Sequence, residues 1–459
     1  MTHSIRTTVA GRTILLLSTA ALLSGCVVGP DFLGPQMAMP EKYAEASAYA
    51  PQVKADVDWW RDLKDTTLNG LVARGLDQNL DIETANERIT AARESAGATG
   101  LASQLSGNAS AATTVSGSDS SSTTTHSAGL DAAFVFDLFG GKRRNRERAL
   151  AQLDAARYDA ATTRLAFLAD LMGSYVNARY YQEALELTRQ SIASRRETLR
   201  LARERRDIGA GSELDVAQTE ADVATAEAGL PSLESSFHAN VYHIATLLDE
   251  PADPLIRALQ RGAPQPYSPS KANAGIPADL LRNRPDVMSA ERSLAAATAA
   301  IGVAEAELYP SLTLSGSVNV TPDLNSWSFG PALKLPVLNR ETLKAERNVA
   351  VSEARQAELA WRSAVRQAVE EVQTAQTAYL RARRTVTAAR ASVEAYAKAR
   401  DLAQAAYQGG TSTILDLLEA QRSVASARLT LASAIQNMTA QWITMQIAAG
   451  RGWSPATAQ

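Results

Sequence analysis

The sequence is poor in the residues that build most enzymes and disulfide scaffolds. Its 459 residues include one cysteine, Cys26, and four histidines. A lone cysteine closes no internal disulfide and needs another explanation in an exported protein. His126, His238 and His243 have no spacing to other ligands that suits a metal. Gly140-Gly141 followed by Lys142-Arg143-Arg144 lacks the spacing of a phosphate-binding loop, so that basic run is expected at a membrane boundary or in solvent. No catalytic constellation appears, and an enzyme is not expected. Aromatic residues are 5% of the chain, and the net charge of −3 offers no basic field for nucleic acid. Proline is missing between Pro51 and Pro231 and between Pro336 and Pro455, which permits long uninterrupted helices. Beyond residue 25 no run of 18 or more uncharged apolar residues occurs, so a membrane crossing would have to be made by strands.

What is present begins with a targeting segment. Arg6 and Arg12 form a positive region, and Ile14–Leu23 a short apolar one. Leu23-Ser24-Gly25-Cys26 resembles a lipobox. The reading is a signal peptide over 1–25, cut before a lipid-bearing Cys26; an ordinary secretory signal with a chance cysteine is the alternative. That covalent lipid is the only cofactor expected. Val27, in place of an aspartate, points to the outer membrane.

The remainder is a tandem repeat. Ile208-Gly209-Ala210-Gly211-Ser212-Glu213-Leu214-Asp215-Val216 matches Gly409-Gly410-Thr411-Ser412-Thr413-Ile414-Leu415-Asp416-Leu417 at an offset of 201 residues. Each half reads as short helix, two strands, very long helix, tight turn and returning helix. The expected divisions are a lipid-anchored segment at 26–66, a helix at 67–102, a hairpin at 103–139, and a long helix with turn and return at 140–250. A Pro-rich linker at 251–276 leads to a helix at 277–309, a hairpin at 310–338, a second long helix with turn and return at 339–450, and a tail at 451–459. About 65 helical residues would extend roughly 100 Å. Leu185, Ile192 and Leu199 recur at seven, and Ala217, Ala221, Ala224 and Ala228 at four, three, four, which predicts close coiled-coil-like packing.

Period-two alternation marks the strands. Leu130, Ala132, Phe134, Phe136 and Leu138 alternate with Asp131, Ala133, Val135 and Asp137, after a Ser/Thr tract whose turn is expected over Ser118–Thr125. In the second half Leu312 to Val320 and Trp327 to Leu335 alternate in the same way around a turn at Pro322–Asn325. Apolar residues toward lipid and polar ones toward a lumen give this pattern, with Trp327 and Phe329 suiting an aromatic girdle. Soluble hairpins packed on helices would also give it. Four strands cannot close a barrel, for which about eight is the practical minimum. Membrane strands would therefore force oligomerisation, twelve strands in a trimer or eight in a dimer.

These residues resemble the TolC/OprM family of outer-membrane efflux channels, in its lipoprotein, NodT-type branch serving RND-type tripartite pumps. Val28-Gly29-Pro30-Asp31-Phe32, Trp59-Trp60, Asn79-Leu80-Asp81, Asp137-Leu138-Phe139-Gly140, Ile276 to Val287, Ile301-Gly302-Val303-Ala304, Tyr309-Pro310-Ser311 and Leu335-Pro336-Val337 carry the likeness. Ser103 stands where the family usually has proline, and Asp249 where glycine is common. The resemblance implies a mainly α protomer with membrane β. It closes as a homotrimer into a 12-stranded β-barrel and a periplasmic α-barrel. The implied role is a passive gated duct for multidrug or small-molecule efflux, with a periplasmic adaptor, an inner-membrane RND-type pump and outer-membrane lipid as partners, and no nucleic acid.

The turns at Gly209–Gly211 and Gly409–Gly410 are expected at the end farthest from the strands, where a duct must close. Asp416 and Glu419 lie three apart on one helical face and would set six carboxylates around a threefold pore. Arg422 would tie a carboxylate, Leu415 would be the apolar plug and Tyr407 a latch. A cap at a helix N-terminus is the plainer role for such an acid, and for Asp215 the sufficient one. Rival functions are a duct for type I secretion or metal efflux, and a periplasmic coiled-coil scaffold lipoprotein.

Overall fold

The computed structural model describes residues 27–40, 56–269 and 279–454. Cys26 and the signal peptide lie outside them. Helix α1 (Thr66–Gln78) and helix α2 (Leu80–Gly97) open the first repeat. The single helix expected over 67–102 is thus broken, and Asn79 breaks it. Its backbone is extended, and its Oδ1 accepts the Asp81 and Ile82 N–H groups at 3.1 Å each, capping α2. A 3-10 turn over Gly100–Ser103 follows, in which the Ser103 hydroxyl donates to the Gly100 carbonyl at 2.8 Å.

Strands β1 (Leu105–Ser118) and β2 (Ser121–Phe136) form the first hairpin, with β3 (Ser311–Val320) and β4 (Asn325–Lys334) forming the second. The turn expected over Ser118–Thr125 shrinks to Asp119 and Ser120. Thr123, Thr124 and Thr125 instead pair with Ser116, Val115 and Thr114. Threonine is polar in composition but β-branched in shape, and here its strand preference prevails. The sheet is antiparallel throughout, in the order β1-β2-β3-β4, with β2 and β3 in register from Ala128↔Val320 to Phe136↔Leu312. Among the described residues β1 and β4 are open edges. Trp327 and Phe329 stand 79% and 71% exposed, with Leu130 and Leu333 on the same outward parity.

The long helices are α3 (Gly141–Asp207, 67 residues) and, in the second repeat, α9 (Arg340–Gln408, 69 residues). The first repeat returns through α4 (Glu213–Ala228) and α5 (Leu230–Leu247). The return was expected as one helix; Pro231 breaks it, because proline lacks the N–H and its ring clashes with the preceding turn. The linker holds a helix, α6 (Ala252–Leu259), before α7 (Leu280–Asn283) and α8 (Pro285–Ala306). Before α6, Asp249 takes φ +50°, the left-handed conformation that suits glycine. The second repeat returns through one unbroken helix, α10 (Ile414–Ala448). Among the described residues no helix is long and apolar enough to cross a membrane.

The chain divides into two compact units, each drawing on both repeats. The first comprises Met1–Ala38, Asn86–Asp159 and Asp286–Ala364 and contains the sheet. The second comprises Met39–Ala85, Ala160–Pro285 and Val365–Gln459 and contains both helix turns. In the second unit Trp59, Trp442, Trp453, Leu168, Met172 and Tyr175 are fully buried, with Trp59 and Trp442 edge-to-face at 5.3 Å. Leu185 and Ile192 are buried as the heptad predicts. The alanine stripe is not: Ala217, Ala221, Ala224 and Ala228 are exposed, and α4 buries Val216, Thr219, Asp222 and Val223 instead. Alanine marks either face of a helix weakly, and the larger valines decide which face turns inward.

Candidate functional site

In the second unit the two helix turns are built alike. Gly209 ends α3 with φ +73°, and Gly410 ends α9 with φ +74°. Behind each glycine a backbone bond closes the turn, from Ala210 N–H to the Arg205 carbonyl at 2.7 Å and from Thr411 N–H to the Ala406 carbonyl at 2.9 Å. Gly211 and Gly409 are not left-handed; a Cβ on Gly211 would sit 3.2 Å from Arg205. Each return helix then starts with a capping box. The Ser212 hydroxyl accepts Asp215 N–H at 3.1 Å while the Asp215 carboxylate accepts Ser212 N–H at 3.0 Å. Thr413 and Asp416 repeat this at 3.3 and 3.0 Å.

Asp416 is therefore a cap residue in the protomer. Its carboxylate also accepts the Thr413 hydroxyl at 2.7 Å and the Ser412 hydroxyl at 3.0 Å. The Thr413 hydroxyl first, then the Thr413 N–H and the Ser412 hydroxyl, hold its pKa below the ordinary value. Tyr407 is buried with Ile414, Leu417 and Leu418. The Arg205 guanidinium lies 4.6 Å over its ring and donates to its carbonyl at 2.5 Å. Burial raises the phenol's pKa, and Arg205 opposes that rise. Leu415 faces away from this cluster, 53% exposed, and Glu419 is exposed as well.

Arg422 finds its main carboxylate elsewhere than on Glu419, whose oxygen lies 3.9 Å away. The Arg422 Nε donates to Asp222 Oδ1 at 2.6 Å, and Arg195 Nη1 lies 2.6 Å from Asp222 Oδ2. Asp222 is 3% exposed and Arg195 8%. Beside them the Gln421 amide donates to the Thr198 hydroxyl at 2.8 Å. This lock joins α3, α4 and α10, and sequence reasoning missed its centre. The available signal was an acid on the Val216-Thr219-Val223 face of α4, where a buried charge requires a partner.

In the first unit the run Lys142-Arg143-Arg144 is divided three ways. The Asp137 carboxylate caps α3 through the Lys142 and Arg143 N–H groups, both at 2.9 Å, and pairs with the Arg143 guanidinium. Arg144 is buried, not solvated. It donates to the carbonyls of Val28 at 3.1 Å and Gly29 at 3.0 Å and to the Asp31 carboxylate at 2.7 Å. Val28 N–H in turn donates to the Phe139 carbonyl at 3.1 Å. Gly29 has φ +85°, and a Cβ there would come within 2.4 Å of the Gly302 Cα, so only glycine permits this approach. Cys26 lies outside the described residues, but the segment that follows it is pinned to the strand–helix junction.

Comparison with known proteins gives these features a setting. The model of the outer membrane efflux protein family matches residues 71–249 and 276–451. Nodulation protein T of Rhizobium leguminosarum bv. viciae is 41% identical over 446 residues, spanning 94% of this chain and 92% of its own. The pyoverdine export outer membrane protein OpmQ of Pseudomonas aeruginosa is 30% identical over 442 residues, spanning 91% and 92%. The solved outer-membrane channel OprN superposes with a TM-score of 0.82 at 29% identity, over 94% of this chain and all of its own. The chain is an outer-membrane efflux channel protein with a large periplasmic portion, and its family is one of ducts rather than enzymes. It belongs to the outer membrane efflux protein family.

Proposed function

We propose that three copies of this chain form the outer-membrane exit duct of a tripartite pump for drugs and other small molecules. The observation that carries this reading is the four-stranded sheet with two open edges and one apolar face. Open edges are not tolerated in lipid. Pairing β4 of each copy with β1 of the next satisfies them and gives twelve strands. Strands β3 and β4, of 10 residues each, have the length of about 9–11 that crosses a bilayer. A lipid on Cys26 would enter the leaflet beside these strands, since Val28 and Gly29 are held at their foot. A periplasmic adaptor and an inner-membrane RND-type pump would supply energy and substrate, the chain itself acting passively.

The helix turns are the gate in this reading. Asp416 and Glu419 ring the pore and favour cations, Leu415 plugs it, and Tyr407 and Arg422 hold the turn of the second repeat closed against the first. Bilayer conductance of the purified full-length protein tests this. The pair Asp416→Ala with Glu419→Ala is expected to raise conductance and weaken cation selectivity; unchanged values would remove these residues from the gate. Cys26→Ser behind a cleavable signal is expected still to give trimers that need detergent. Soluble monomers would mean that the strands do not hold the protein in the membrane.

A further inference from the structure

The face of the sheet opposite Leu333 and Leu335 ends in a cleft of about 440 Å³, where β2 runs into α3, α8 into β3 and β4 into α9. Lys142, Lys334, Asn145 and Asn339 line it, with Phe139 and Tyr309. The two rings stack at 4.6 Å and 21°, giving the cleft a flat aromatic wall. Lys334 belongs to the parity of Val135 and Ser311, which the alternation turns away from lipid. The two ammonium groups have no ion-pair partner among the described residues. Of the acids lining the cleft, Asp137 is engaged by the start of α3 and by Arg143, which leaves Glu307 as the one acid to set against two lysines in the charge balance. One positive charge is left over, beside amides and an aromatic surface.

We propose that this cleft is a transit site for amphipathic organic anions, aryl carboxylates in particular. Lys142 and Lys334 hold the carboxylate, Asn145 and Asn339 donate to it, and the Phe139–Tyr309 pair carries the aromatic body. The proposal rests on the duct reading, which makes this face luminal; three copies then place six lysines around the foot of the barrel. Lys334 is exposed and Lys142 half-buried, and solvent-screened ammonium groups bind weakly, so the site holds solutes in roughly the millimolar range. That suits a duct, in which a solute must be able to leave.

Two probes of equal size and opposite charge test it: 2-naphthoate and naphthalen-2-ylmethylammonium. Binding to the purified full-length protein is measured by equilibrium dialysis, and current block in planar bilayers with the probe on the barrel side. Wild type is expected to bind naphthoate at least tenfold more tightly than the ammonium probe. Lys142→Gln with Lys334→Gln should lose that preference, and Lys142→Arg with Lys334→Arg should keep it. Lys334→Gln alone, at an exposed strand position, carries the same comparison if the Gln pair does not assemble. Equal binding of both probes, or naphthoate binding that no glutamine variant weakens, overturns the proposal. Failure of the duct reading looks different: lysine-dependent naphthoate binding without conductance steps.

Discussion

At the end of α3 a left-handed Gly209 is followed by Ser212 and Asp215 in a capping box; 201 residues on, Gly410, Thr413 and Asp416 do the same. Around these matched turns the repeats differ. Asp222 of the lock has Ser423 at its equivalent position, and Arg422 has Ala221. Arg205, which covers Tyr407, has Ala406. What the backbone requires is thus present twice, while the groups that bind one repeat to the other are present once. Two equal repeats would set like side chain against like, and an acid–base lock needs them unequal. The same contrast runs through the rest of the chain. The first hairpin is longer than the second, and Pro231 breaks the first return helix where Ala432 lets the second continue.

The largest expected effect lies at the lock. Asp222→Ala leaves Arg195 buried without its counter-charge, and removing one member of a buried pair costs about 3–5 kcal/mol. Ser423→Ala, at the equivalent position, should stay within about 0.5 kcal/mol. The midpoint of chemical denaturation, followed by helical circular dichroism, reads both. Arg422 is half exposed, so Arg422→Ala should cost roughly 1 kcal/mol, less than Arg195→Ala. Equal losses at Asp222 and Ser423 would mean that the lock does not join the repeats.

The caps come next, and here the repeats should agree in stability. Ser212→Ala and Thr413→Ala should each cost about 1 kcal/mol. They should part in conductance, with Thr413→Ala changing it and Ser212→Ala not, because only Asp416 is assigned to the pore. Acid separates cap from bystander further. The pKa of Asp416 is depressed, so its contribution is fully present above the ordinary carboxylate value near ~3.9 and is lost as pH falls through the lowered one. Hydrogen exchange in the first turn of α10 should rise in that window. Thr413→Ala removes the largest cause of the shift and should move the window upward.

The legibility of these features follows their range along the chain. The duplication, the Gly209 and Gly410 turns, the second hairpin and both long helices rest on local signals, such as glycine position, alternation and missing proline. The break at Asn79 was hidden because asparagine is also tolerated inside a helix, and the shortness of the turn between β1 and β2 because hydroxyl-rich composition reads as loop. Asp222 was hidden for a different reason. Its partners lie 27 residues before it and 200 after it, and only packing brings Arg195 and Arg422 to one carboxylate. Arg144 likewise looks like one more charge in a basic run until the Val28–Asp31 segment folds over it.

The smallest expected effect concerns the broken return helix, and it carries a sign. Gly209 and Gly410 are left-handed, so alanine at either should cost about 1–2 kcal/mol. Gly229 is different. Its φ of −77° and ψ of −24° are helical, and an added Cβ would meet only the Ala226 carbonyl at 3.5 Å, an ordinary contact. Nothing at Gly229 requires glycine, and Pro231 alone accounts for the break. Gly229→Ala should therefore stabilise the chain by about 0.5–1 kcal/mol, through the freedom it removes from the unfolded state. A gain in thermal midpoint with unchanged conductance would make the break a local accident of proline placement. A gain accompanied by reduced conductance would instead mean that the first return helix bends at this point when the duct opens, a motion that the unbroken α10 of the second repeat does not share.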